Sequence, residues 1–366
     1  MLRTATILTL LIPLVACAPG KGDAGTDTDT DTDEWPWDDI AKEAIVFLSR
    51  HEGPIDSGPE LYMLEKNGEI AMLINDSTAH YNPSISPDGT LVAFHRFTAP
   101  QVWTSAELFA LDVASMTDVP LTDNNFPSFA PKWSPDGQRL VFSSMSNAGE
   151  PSPSGNIFVI DLVGGGPVQL TTDDDPDIQN NDPSWCGADR IVFKSTRESL
   201  TVDRDEIFAV AASGGEPFRL SLPNGASPGE TDWRSDHDPR CSPDGSSVYF
   251  YRFEATRPWT DIADPELAAQ IWDEIYPVDI WYTTITAAPG SETRLTDCEF
   301  SCNYPIPAAD GSVGFLRQSF PSGESDPLSG VVSELMVMDP TGGNARLLMS
   351  PDLYTEHAFT LEYWDW

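Results

Sequence analysis

The chain has 366 residues and carries 20 Lys+Arg against 58 Asp+Glu, a formal net charge of -38. Nucleic acid is therefore excluded as a ligand by repulsion, and adsorption to anionic lipid through the protein's own surface is disfavoured. With 32 Pro and 26 Gly beside few helix-like stretches, the composition is that of a turn-rich, all-β chain.

The first sixteen residues read as a targeting segment. Arg3 supplies the positive charge, and Ala5 to Val15 is an apolar run too short to span a bilayer as a mature helix. Leu14-Val15-Ala16-Cys17 resembles a bacterial lipobox, which implies a lipid-modified N-terminal Cys17 as the membrane contact. Ala18 after it resembles lipoproteins sorted to the outer membrane of Gram-negative cells. Residues 17–43 follow as an acidic tether: Gly20 to Asp39 is mostly Gly, Thr and Asp, whose like charges repel and keep it extended. The alternating Asp invites a calcium reading, but an EF-type loop needs Gly at its sixth position, where Thr32 stands, and lacks its later Glu. A divalent cation is compatible with the charge and unsupported by the spacing.

Residues 44–366 are built on a repeat, most legible from Pro131 to Leu170. Ser134-Pro135-Asp136-Gly137 fits a type I turn, followed by the apolar run Leu140-Val141-Phe142, a polar loop from Ser146 to Gly155, and the strand formers Ile157 to Ile160. Gly164-Gly165-Gly166-Pro167 turns the chain into Val168-Gln169-Leu170. The same order recurs from Pro83, Pro183, Pro239 and, in decayed form, Pro305, giving five full copies. The first apolar run, Ile45 to Leu48, has strands after it but no Pro-x-Trp strand before it. Phe359 to Trp366 alternates apolar and polar residues and has no partner of its own, so it is expected to supply that missing strand. A six-bladed β-propeller of four-stranded antiparallel blades results, with its ring closed by the C-terminal strand.

The Pro-x-Trp-Ser-Pro-Asp-Gly segment, apolar triplet, apolar quartet with Asp (Ile160-Asp161, Leu111-Asp112, Met338-Asp339), Gly-Gly and Leu-Thr order resembles the TolB-type β-propeller repeat over residues 44 to 366. It departs from TolB in lacking the separate α/β domain that precedes the propeller there.

Five cysteines, less Cys17, leave four. Cys298 and Cys302 are near enough in one loop to bridge. Cys241 stands at the repeat's Trp position and Cys186 one residue beyond it, so alternation points them to opposite sheet faces, and no second disulfide is expected.

In an up-and-down blade the Ser-Pro-Asp-Gly and Gly-Gly turns share one end and are short and structural. The other end gathers the long connections between second and third strands, where function is expected. The largest insertion, Glu254 to Asp279, reads as a short amphipathic helix that either packs its apolar face on its own propeller or docks a partner with Trp259 and Trp272 as anchors. Polar residues gather just before each first strand: His80 and Asn82, Asn181 and Asp182, Asp236, His237 and Asp238, and Asn303. Such a ring at the channel mouth suits a cation or polar ligand, or equally hydrogen bonds between blades. No Gly-x-Ser-x-Gly elbow, His-Glu-x-x-His, Gly-x-x-x-x-Gly-Lys or Cys-x-x-Cys motif is read in the chain, so no catalytic residue, metal or cofactor is assigned. The expectation is a lipid-anchored, non-catalytic envelope scaffold that binds a protein or peptide at its long-loop face. The alternative is a metal-dependent or carbohydrate-active, lyase-like enzyme at the channel mouth, using His80 and His237 with His357.

Overall fold

The computed structural model describes residues 44–50, 60–65, 70–74, 78, 80–99, 102–122, 126–197, 205–222, 233–255, 278–298, 301–319, 332–349 and 360–365. Within them the chain forms successive four-stranded antiparallel sheets. Sheet 1 holds β1 (Ala44–Arg50), β2 (Glu60–Glu65) and β3 (Ile70–Ile74); sheet 2 holds β4 (His80–Ile85), β5 (Leu91–Phe97), β6 (Ala106–Asp112) and β7 (Thr117–Pro120). Sheet 3 comprises β8 (Ser128–Trp133), β9 (Arg139–Asn147), β10 (Glu150–Asp161) and β11 (Val168–Gln169). Sheet 4 comprises β12 (Asn180–Cys186), β13 (Arg190–Ser195), β14 (Glu206–Ala211) and β15 (Phe218–Arg219). Sheet 5 is β16 (Trp233–Cys241), β17 (Ser247–Ala255), β18 (Val278–Thr284) and β19 (Thr293–Arg294). Sheet 6 is β20 (Ser301–Pro307), β21 (Val313–Ser319), β22 (Val332–Met338) and β23 (Arg346–Met349), joined to sheet 5 by one parallel bridge, Val278 to Ser301. The last strand, β24 (Thr360–Asp365), pairs antiparallel with β1, placing Asp365 opposite Val46, so sheet 1 runs β24-β1-β2-β3.

The second strands carry unbroken apolar triplets because both of their faces are covered, which removes the usual alternation of a half-exposed strand. On β9, Leu140 and Phe142 pack toward sheet 2 while Val141 packs toward sheet 4. On β13, Ile191 and Phe193 face sheet 3 and Val192 faces sheet 5. On β1, Val46 and Leu48 join sheet 2, whereas Ile45 and Phe47 join Leu316, Leu335 and Val337 of sheet 6. Cross-strand aromatic pairs recur at one register position: Phe47–Tyr62, Phe94–Phe109, Phe142–Phe158 and Phe193–Phe208, with centroids 5.6, 5.8, 5.6 and 6.3 Å apart. Each such pair contributes about 0.5–1.5 kcal/mol beyond its buried area.

The Ser-x-Asp-Gly turns are locked by their own side chains. In the sheet 3 copy Ser134 Oγ donates to Asp136 Oδ1 (2.5 Å) and accepts from the Arg139 N–H (3.0 Å), and the Gly137 N–H donates to Ser134 O (2.9 Å). The copies at Ser86 and Ser242 repeat this pattern. Gly89, Gly137 and Gly245 take φ of +73°, +68° and +72°, a backbone that side-chain-bearing residues rarely adopt.

One connection differs from its sequence reading. The polar loop expected from Ser146 to Gly155 is largely strand, because Ala148 (φ +52°) and Gly149 (φ +81°) are both left-handed and close a two-residue hairpin. A bulge between Pro151 and Asn156 absorbs the prolines that argued against a strand.

Candidate functional site

Each first strand from β4 to β20 enters its sheet through the same irregularity. Asn82, Ala130, Asp182, Asp238 and Tyr304, each immediately before a proline, have φ between +47° and +51°, and the register shifts at each of them. A residue before proline normally prefers extended backbone, so five recurrences mark a required bend. Asn and Asp tolerate this region best, which accounts for three of the five.

The bulge separates the polar ring expected at the channel mouth into distinct positions. Two residues before each bulge the side chain is buried: His80, Ser128, Asn180, Asp236 and Cys302. His80 is therefore a packing residue and not part of an open rim. Its ring meets Phe94 edge-on at 5.2 Å, and its Nε2 lies 3.5 Å from Thr78 Oγ1. Asp236 receives both Nε and Nη2 of Arg252 (2.5 and 2.9 Å) and the Ser221 hydroxyl; both members of the ion pair are buried, with Arg252 4.5 Å from the Trp281 ring centroid. Asn82 and Asn181 are half-buried. Asn303 donates to Ser301 Oγ and Gln318 Oε1. Asp173, at the head of the acidic run to Asp177, accepts from Arg197 and Asn180 and so belongs to the scaffold.

The structure brings Asp182 and His237 together around Lys194. The ammonium lies 3.0 Å from Asp182 Oδ2, 3.7 Å from Asp205 Oδ2 and 3.2 Å from His237 Nδ1. Burial disfavours the charged amine, but the Asp182 and Asp205 carboxylates outweigh it and hold Lys194 protonated well above the ordinary lysine range. Burial, reinforced by that cation, pushes His237 well below the usual histidine value, so the ring is neutral. Two carboxylates and an imidazole that would suit a divalent metal are thus already arranged around an internal ammonium. Among the described residues no cluster of three or more His, Cys, Asp or Glu is placed to hold a metal ion.

At the other end of the same strands, beside the Ser-Pro-Asp-Gly turns, lies a cavity of about 280 Å³. Ser84, Lys132, Ser184, Arg240, Ile306 and Asp365 line it, one from each of β4, β8, β12, β16, β20 and β24. Sequence reasoning missed Lys132 and Arg240 because each sits inside a Pro-x-Trp-like segment that reads as packing. The signal available was a cation in the middle of an apolar repeat. Lys132 Nζ donates to Pro83 O (3.0 Å), and Arg240 Nη2 pairs with Asp238 Oδ1 (3.0 Å). Burial, and then Arg240, push Lys132 down to about 8 against the opposing pull of Asp365, Asp238 and Asp182.

Cys298 is bonded to Cys302. Cys186 is bonded to Cys241, with Cα atoms 4.9 Å apart, which corrects the expectation from strand alternation. The two thiols do point to opposite sheet faces, but consecutive sheets stack front to back. Cys186 faces forward from sheet 4 into the cluster containing Val248 and Phe250, and Cys241 faces back into that same cluster from sheet 5. Opposite faces are what such a bridge needs.

Cys17, Trp259, Trp272 and His357 lie outside the described residues. So does Gly225-Ala226-Ser227-Pro228-Gly229, whose Gly-x-Ser-x-Gly spacing, that of a hydrolase nucleophile turn, corrects the expectation that the chain has none. In that turn the residue after the serine donates its backbone N–H to the oxyanion, and Pro228 has none to give.

The fold is similar to that of solved propellers. TolB from Acinetobacter baumannii matches with a TM-score of 0.60 and 16% identity over 88% of this chain and 66% of that one. A putative TolB from Agrobacterium tumefaciens matches at 0.55 and 17% over 84% and 88%, and an oligogalacturonate lyase in complex with manganese at 0.51 and 14% over 87% and 76%. At these identities the likeness is one of fold alone. The family model of the TolB beta propeller domain matches residues 42–258, more than half of the sequence, and the chain belongs to that family.

Proposed function

We propose that this chain is a non-catalytic scaffold of the cell envelope, lipid-tethered through Cys17 to the outer membrane, whose long-connection face docks a protein or peptide segment. Its scaffold is a six-bladed ring closed by β24. That closure is supported by the β24–β1 pairing, by the packing of sheet 1 on sheet 6, and by the cavity shared among six strands. The two disulfides are those of a protein held outside the reducing cytoplasm.

The observation that carries docking is a set of half-buried aromatic rings where the first strands enter. Tyr81 and Phe129 flank His95 at 5.2 and 5.5 Å, and Tyr251 stacks on His237 at 5.4 Å and meets Tyr304 edge-on at 5.4 Å. Rings fixed by their neighbours yet partly open lose little entropy on binding and make good interface anchors. A photoreactive residue at Phe129 and another at Tyr304 should capture the same partner in native envelopes, and Tyr81→Ala should weaken both captures. Capture of unrelated proteins from the two positions would sink the reading. Separately, Cys17→Ser should abolish fatty-acid labelling and release the protein from membranes.

The metal-dependent, carbohydrate-active alternative draws on the fold likeness to a manganese-bound lyase. It has to contend with Lys194 holding the carboxylates it would need. Stoichiometric metal in purified protein, lost on His80→Ala and His237→Ala, would favour it.

A further inference from the structure

The cavity at the turn end is lined by residues with buried donors that lack acceptors among the described residues. Arg240 is only 6% exposed, yet among the described residues its Nε and Nη1 have no partner. Trp185 also lines the cavity, and its buried Nε1 has no acceptor, although the equivalent Trp133 donates its Nε1 to Ser84 O at 2.9 Å. Lys132, likewise 6% exposed, directs one of its three ammonium hydrogens to Pro83 O. Buried donors without acceptors are costly and are not left so by chance at one wall of one cavity. Composition does not explain them either, since the whole chain has only 20 Lys+Arg against 58 Asp+Glu.

The charged side chains lining the cavity are two cations and one carboxylate: Lys132, Arg240 and Asp365. Arg240 already pairs with Asp238 through Nη2, so what calls for a ligand is an acceptor for its Nε and Nη1, and with Asp365 and Asp238 close by a dianion would be repelled more than a monoanion. The free Nε of Arg240 belongs to a planar fork that suits a carboxylate, and Trp133, Ile85 and Ile306 give the rest of the space apolar walls. A volume of about 280 Å³ is room for several waters and for a small organic molecule.

We propose that this cavity binds a small monocarboxylate, with its carboxyl group held by Arg240 and Lys132 and its apolar body against Trp133 and Ile306. The site is separate from the docking face and does not depend on it. Isothermal titration of the full chain with propionate, with inorganic phosphate, and with KCl at matched ionic strength tests it. Propionate should bind saturably while KCl gives no saturable heat. Arg240→Lys, which keeps the charge and loses the fork, should weaken binding about tenfold or more. Ala309→Trp adds bulk at an exposed residue of the cavity wall and should abolish binding with the melting temperature preserved. Absence of propionate binding in the wild-type protein, saturation by phosphate alone, or affinity unchanged in both variants would overturn the proposal.

Discussion

The two ends of the sheets bury charge in opposite ways. At the entrance, Lys194 is matched by Asp182 and Asp205, and Arg252 by Asp236, so both of these cations have carboxylates. At the turn end, Lys132 leans on a backbone carbonyl, and Arg240, paired with Asp238 through Nη2, keeps Nε and Nη1 without partners among the described residues. Buried charge with complete partners fixes architecture, whereas buried charge without them lowers stability and has to be justified by something else the molecule does.

The sharpest way to break this contrast is at the entrance. Arg252→Met should lose about 4 kcal/mol, because it strands the buried Asp236 carboxylate. Urea denaturation would read this as a lower midpoint at an unchanged slope. Removing the covalent tie between sheets 4 and 5 with Cys186→Ala and Cys241→Ala should cost about 3 kcal/mol, less than an ideal loop of this length predicts.

The turn end should respond in the other direction. Lys132→Met removes a cation that folding desolvates and should leave stability unchanged or raise it by about 1 kcal/mol. The pH dependence carries the sign: Lys132 is near 8 when folded and near 10.5 when unfolded, so between these values the unfolded chain holds the extra proton. Wild-type stability should therefore rise from pH 8 toward 10.5, and that rise should be missing in Lys132→Met.

His95 offers a smaller test on the acid side. Burial pushes it down to about 3, with Asp182 opposing and Lys132 and His80 reinforcing, so stability should decline as pH falls from about 6.5. His95→Gln should remove about 1–2 kcal/mol of that decline by pH 5 in melting curves. Smallest of all, Asp136→Ala should cost about 1 kcal/mol by breaking one turn lock among several copies.

Much of the architecture is legible from short-range chemistry. The Ser-Pro-Asp-Gly turns announce themselves because Ser, Asp and Gly each satisfy a local backbone demand, and the continuous triplets announce two-sided burial. The strand expected beside β1 is identifiable because one copy lacks its first strand and the tail lacks a partner. What sequence could not show depends on how one sheet meets the next. The Cys186–Cys241 bridge, the Lys194 cluster and the Lys132–Arg240 wall all join different repeats, and a pattern read within one repeat is blind to them. His80 illustrates the same limit, since its position before a strand suggests exposure while the bulge at Asn82 fixes how the strand enters its sheet.

Because Asp365 sits across from Val46, the first and the last of the described strands are neighbours in one sheet. A linker of a few residues would therefore join them without moving either strand, and new termini could be cut in the exposed turn between β6 and β7. Such a circular permutant should refold to the same arrangement, with β24 converted from a separately docked strand into the first hairpin arm of sheet 1.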